Sequence, residues 1–86
     1  MSNPEIDEYG NKSWYNDNVQ YHRDDGPAIE YVSGDKEWFI NGKKHREDGP
    51  AIEYSDGSKS WYYHGKKINC KTNEKFLKLI KLKAFW

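Results

Sequence analysis

A chain of 86 residues, 35% of them hydrophobic and 33% charged, makes one small unit with a modest core, which excludes a large multi-domain enzyme. Its one cysteine, Cys70, excludes an intramolecular disulfide, and its densest apolar run, "FLKLIKLKAFW", is broken by lysines and too short to span a bilayer as a helix. The formal charge is zero but uneven: residues 1–65 hold 13 Asp and Glu against 7 Lys and Arg, while residues 66–86 hold 7 Lys against Glu74, an acidic head on a basic tail. Aromatic residues are 16%, with four Trp and seven Tyr, which argues against disorder and for sheet surfaces that broad rings cover. No signal-peptide pattern opens the chain, so a cytoplasmic protein is expected.

In chain order, the first element is "GNKSWYNDN" at residues 10–18, where Gly10, Lys12 and Trp14 stand 24 residues before Gly34, Lys36 and Trp38. The phrase "HRDDGPAIEY" follows at residues 22–31 and returns as "HREDGPAIEY" at residues 45–54. His22 and His45, Gly26 and Gly49, Trp38 and Trp61, and Gly42 and Gly65 all keep a 23-residue period, and periods of this size mark stacked supersecondary units. Alternation in "AIEY" and "KEWFI" predicts β-strands. "SGD", "SDGS", "NGKK" and "HGKK" supply hairpin turns, and the Pro of "DGP" delays ladder pairing until the following Ala.

Each unit therefore reads as a hairpin plus a turn, and the units add into an antiparallel meander of about six strands. The expected organisation is a single domain over residues 1–86: a degraded first repeat at 1–21, two repeats at 22–67 and a helical tail at 68–86. The expected core stripe is Trp14, Trp38 and Trp61 with Ile29, Tyr31, Ile52 and Tyr54. On the opposite face, Tyr15, Phe39 and Tyr62 would stand beside Ala28, Glu30, Ala51 and Glu53 as a recognition strip, unless a helix covers that face.

The stretch "WFINGKKHREDGPAIEYSDGSKSWYYHGKK" resembles the variant MORN-type repeats of bacterial, bacteriophage and large-virus proteins. The resemblance covers residues 10 to 67. It implies a β-hairpin array used for binding; some bacterial proteins with related repeats are antitoxin-like, and compact viral versions look like accessory proteins acting on host factors, which would place a viral member in the host cell cytoplasm.

The repeated clusters His22, Arg23, Asp24, Asp25 and His45, Arg46, Glu47, Asp48 have the vocabulary of catalysis. A general acid and base work as one pair in one cleft, however, whereas this set occurs twice along an extended array. Turn hydrogen bonding explains each Asp before Gly, and a surface ion-pair ladder explains the arginines. His22, His45 and His64 lack a metal-ligand spacing, and no base accompanies Cys70, so no catalytic residue, metal or cofactor is expected.

The tail "TNEKFLKLIKLKAFW" offers Thr72 or Asn73 as N-cap, Glu74 in the first turn, Phe76, Leu77, Leu79, Ile80 and Ala84 on one side, and lysines on another. A basic amphipathic helix is expected, although "IKLKAFW" also alternates as a strand would. It would cap the sheet, dock a partner or touch anionic nucleic acid or membrane.

The expected function is that of a non-enzymatic binding protein, an accessory factor that inhibits or sequesters a host macromolecule through its repeat face. Tyr15, Phe39, Tyr62, Arg23 and Arg46 are the candidate contacts to a protein partner, with a homo-oligomer also open. The alternative is an antitoxin-like protein that contacts RNA or DNA through Lys75, Lys78, Lys81 and Lys83.

Overall fold

The computed structural model describes residues 3–82. In chain order the elements are β1 (Glu5–Ile6), β2 (Lys12–Ser13), β3 (Ile29–Glu30), β4 (Lys36–Glu37), β5 (Phe39–Ile40), β6 (Lys43–Lys44), β7 (Ile52–Glu53), β8 (Lys59–Tyr63), β9 (Lys66–Ile68) and the helix α1 (Asn73–Leu82). Seven strands form one antiparallel sheet in the order β1-β2-β3-β4-β7-β8-β9, and β5 with β6 forms a second, two-stranded sheet. The protein is thus mainly β with one C-terminal helix, and the expected meander of about six strands is a seven-stranded sheet with a two-stranded companion.

The companion exists because each "KxW" strand changes partner at its tryptophan. Trp38 donates its N–H to the Ala51 carbonyl (2.7 Å) in the next repeat, while its own carbonyl accepts the His45 N–H (3.1 Å). Trp14 makes the same switch, donating to Ala28 (2.8 Å) and accepting from His22 (3.0 Å). In the last repeat β8 runs unbroken, pairing Ser60 with Ile52 before its tryptophan, and Trp61, Tyr62 and Tyr63 with Ile68, Lys67 and Lys66. The hairpins beyond each tryptophan are stitched together by Gly42 N–H to Tyr21 O (2.9 Å) and Gly65 N–H to Lys44 O (2.7 Å). Their two-residue loops, Asn41-Gly42 and His64-Gly65, hold both residues at positive φ (49° and 82°, 51° and 83°), the type I′ geometry that matches strand twist.

The opposite row of turns is stapled between repeats. Asn11 Oδ1 accepts the Val32 N–H (2.8 Å), and Asp35 Oδ1, one period later, accepts the Ser55 N–H (2.6 Å). The result is a slab of 41 × 30 × 16 Å, one sheet thick over most of its extent.

Register corrects the expected core stripe. Ile29 stands opposite Glu37, and Ile52 opposite Ser60, so these isoleucines share a side with Glu37 and Phe39 and not with the tryptophans. Tyr31 confirms the side: its hydroxyl donates to Glu37 Oε2 (3.0 Å). Trp14 and Trp38 are half-buried, and Tyr54 is exposed, so only Trp61, Ile29 and Ile52 of that stripe are buried. Ala28 and Ala51, expected beside the ring strip, lie with Glu30 and Glu53 on the tryptophan side and have no exposed surface.

α1 closes the tryptophan side at the C-terminal end of the array. Thr72 Oγ1 accepts the Lys75 N–H (3.2 Å) as the N-cap, and Asn73 Oδ1 accepts the Trp61 indole N–H (2.7 Å). Phe76, fully buried, packs with Trp61 and Ile68, and Tyr63, Cys70, Leu79 and Ile80 surround them. The period would place a third arginine at residue 69, where the chain has Asn, and the helix supplies Phe76 as the cover instead. Lys83 and Ala84 of the expected helix lie outside the described residues. Among the described residues no helix is long and apolar enough to cross a membrane.

Candidate functional site

The tryptophan side and the ring side divide the sequence's candidate residues between them. On the tryptophan side each arginine sits over a ring: Arg23 Cζ is 3.8 Å from the Trp14 ring centroid, and Arg46 Cζ is 3.9 Å from that of Trp38. The fork is held through Nε and one terminal nitrogen. Arg46 Nε donates to Asp48 Oδ1 (3.0 Å), and its terminal nitrogen donates to the Pro50 carbonyl (3.1 Å) and to Glu53 Oε2 (2.9 Å). Arg23 repeats the set with Asp25 (3.1 Å), Pro27 (3.1 Å) and Glu30 (3.2 Å).

The glycine of each "DGP" completes this sandwich. A β-carbon at Gly49 would sit 2.9 Å from Arg46 Cζ, and one at Gly26 would sit 3.1 Å from Arg23 Cζ. Neither glycine is among the positive-φ residues, so their role is space for the guanidinium and not a strained backbone.

The histidines are equally engaged. His22 Nδ1 accepts the Asn41 N–H (2.9 Å) and His45 Nδ1 accepts the His64 N–H (2.8 Å), each holding the positive-φ residue of the next hairpin loop. Their Nε2 atoms face Asp24 (3.1 Å) and Glu47 (3.5 Å). His45 is 7% exposed, which corrects the expectation that both clusters sit on the surface. Its ring stacks on His64 at 4.2 Å, and burial, followed by the neighbouring His64, pulls its pKa below the ordinary histidine value against the opposing pull of Glu47. An Nδ1 that already accepts a backbone proton is a poor general base. Between the two His-Arg loops lies a groove of about 760 Å³ lined by Trp38, Ile40, His45 and His64 together with Arg23, Arg46 and the acids of both loops. Cys70 lies beside the Trp61–Phe76 cluster, where burial pushes its thiol above the ordinary range and favours the unreactive protonated form.

The ring side is built differently. Tyr15 and Tyr21 stack with centroids 5.2 Å apart and planes at 23°, and Tyr21 meets Phe39 at 5.2 Å and 42°. Further along, Lys44 Nζ lies 5.1 Å above the Tyr62 ring. Tyr62 faces away from Trp61 by strand alternation, and α1 packs on Trp61, so the helix leaves the ring strip uncovered. Tyr15, Phe39 and Tyr62 therefore fall in one row, whereas Arg23 and Arg46 lie on the reverse face, locked into the fold. Lys75, Lys78 and Lys81 are exposed on α1, and Lys83 is outside the described residues.

Sequence reasoning missed Tyr21, Lys44 and Lys67, which stand opposite Tyr15, Phe39 and Tyr62 in their hairpins. Their 23-residue spacing was the available signal. No protein-family model, no curated protein and no solved structure matches the chain.

Proposed function

We propose that the chain is a non-enzymatic binding protein, a cytoplasmic accessory factor that sequesters or inhibits a host macromolecule, a protein first of all, through its ring strip. The observation that carries this reading is the uncovered row Tyr15–Tyr21–Phe39 continuing to Tyr62, on a slab whose other face carries the arginine sandwiches, the helix and the groove beside His45. Large rings standing in contact on an open sheet face favour macromolecular contact over chemistry. The His-Arg-acid clusters add support, since the histidines hold the hairpin loop of their own repeat and the arginines cover the tryptophan of the repeat before. The resemblance of the repeats to MORN-type arrays points the same way. Affinity capture from host lysate, with and without nuclease, tests it: the native chain should retain a nuclease-insensitive protein that the Tyr15→Ser/Phe39→Ser/Tyr62→Ser variant, still folded, does not. Equal capture by both proteins would remove the ring strip from the function.

A second reading draws on α1. Lys75, Lys78 and Lys81 are exposed and form no ion pair among the described residues, as a phosphate-contacting tail of an antitoxin-like protein would require. Nuclease-sensitive capture would favour it.

A further inference from the structure

The ring strip changes character along its length. Tyr21, Lys44 and Lys67 occupy one position of the repeat, each opposite an aromatic residue, so the strip begins as three rings in contact and ends as a tyrosine between two lysines. Neither Lys44 nor Lys67 forms an ion pair among the described residues. Glu37 on this face is turned to the Tyr31 hydroxyl, while the carboxylates of Asp24, Asp25, Glu47 and Asp48 belong to the loops of the reverse face, paired with His or Arg there. The lysine end of the strip is thus positive, and the carboxylates of the two His-Arg clusters stand behind it.

Two geometric facts narrow what fits. Six hairpin strands carry the strip, and at about 4.8 Å per strand its ends are about 24 Å apart, the reach of about seven extended residues at about 3.3 Å each. The rings also turn their faces to one another, and Lys44 covers the face of Tyr62, so edges and side-chain tips point to the ligand. Bases stack on open ring faces, whereas apolar side chains pack against edges equally well.

Resting on the protein-binding reading above, we propose that the strip takes an extended acidic protein segment about seven residues long. Its apolar side chains cover Tyr15, Tyr21 and Phe39 at one end, and its carboxylates meet Lys44 and Lys67 at the other. Lysine ammonium groups on short strands give charge selection without a deep pocket, so affinity is modest and falls with salt.

Fluorescence anisotropy with three labelled probes tests this: a peptide of alternating leucine and phenylalanine followed by a run of glutamates, the same peptide with glutamines for the glutamates, and an oligothymidylate of matching length. The acidic peptide should bind the native chain about tenfold more tightly than the glutamine peptide at low salt, and Lys44→Glu/Lys67→Glu should erase that preference, with circular dichroism reporting an intact fold. Equal binding of both peptides, still abolished in Tyr21→Ser/Phe39→Ser, would overturn the acidic partner and leave the ring-strip reading standing. Binding of neither peptide in a ring-dependent way would overturn both. Tighter binding of the oligothymidylate than of the acidic peptide would assign the strip to nucleic acid and refute the proposal.

Discussion

Gly49→Ala isolates the sandwich that repeats along the array. The new β-carbon would meet Arg46 Cζ at 2.9 Å and its terminal nitrogen at 3.1 Å, well inside ordinary contact, so either the guanidinium slides or the loop opens. Sliding breaks the hydrogen bonds to Pro50 and Glu53 and lifts the fork from Trp38. Overpacking costs about 1–3 kcal/mol, and a charge-assisted hydrogen bond contributes about 1.5–3 kcal/mol. The Asp48 arm, 85% exposed on the acid's side, adds little. Against this, alanine restricts the unfolded chain and returns about 0.4–1 kcal/mol. The net expectation is a loss of about 2 kcal/mol, or about 10 °C in a chain this small. Gly26→Ala, with 3.1 Å to Arg23, should lose about half as much. Urea melts followed by circular dichroism on the single and double variants measure it. In an Arg46→Ala background the clash has no partner, and Gly49→Ala should become neutral or mildly stabilising. A cost that persists undiminished in that background would place the effect in the backbone and refute the sandwich.

Phe76→Ala should cost about 3–4 kcal/mol, because it uncovers Trp61 and Ile68 at the end of the array; a loss under about 1 kcal/mol in the same melts would show that the helix does not cap the sheet. Acid should weaken the fold through His45, whose folded pKa lies below its unfolded value. The stabilisation is full above about pH 6.5 and is lost as pH falls from there through the folded pKa, and His45→Gln should flatten that slope between about pH 7.5 and 5; stability that rises on acidification would contradict the Nδ1 assignment. Lys75→Gln/Lys78→Gln/Lys81→Gln should change stability by no more than about 0.5 kcal/mol, since those side chains are exposed. It should also flatten any log-affinity against log-salt slope for RNA or DNA by about 0.7–0.9 for each lysine–phosphate pair removed; an unchanged slope would remove α1 from nucleic-acid binding.

The period, the strands, the helix and the row of Tyr15, Phe39 and Tyr62 were legible because each depends on local pattern: glycine turns, alternation and a capped amphipathic run. What shares a face across two strands was not. Tyr31 and Asp35 close a three-residue loop, Val32 to Gly34, and an odd loop pairs residues of like parity, so Ile29 meets Glu37 and Trp38 looks the other way. A loop one residue shorter or longer would have put the isoleucines with the tryptophans, as expected from alternation alone. The sandwiches were hidden for a related reason. Arg23 and Arg46 lie nine and eight residues beyond the tryptophans they cover, across a hairpin, so neither helix nor strand spacing announces the contact. Gly26 and Gly49 looked like turn glycines, but their need is set by a guanidinium that only the fold brings over them. The burial of His45 follows from the hairpin loop of its own repeat closing over it, a contact between residues 19 apart in the chain.

On the proposed reading, one face of this slab binds a macromolecule and the other holds the array together. Hydrogen exchange of the chain alone and bound to the protein it retains from host lysate tests that most directly. New protection is expected in the hairpins that carry Tyr15, Tyr21, Phe39, Lys44 and Tyr62, with the Arg23 and Arg46 loops and α1 exchanging as they do in the free chain. Protection confined to those loops or to α1, with the ring hairpins unchanged, would contradict it.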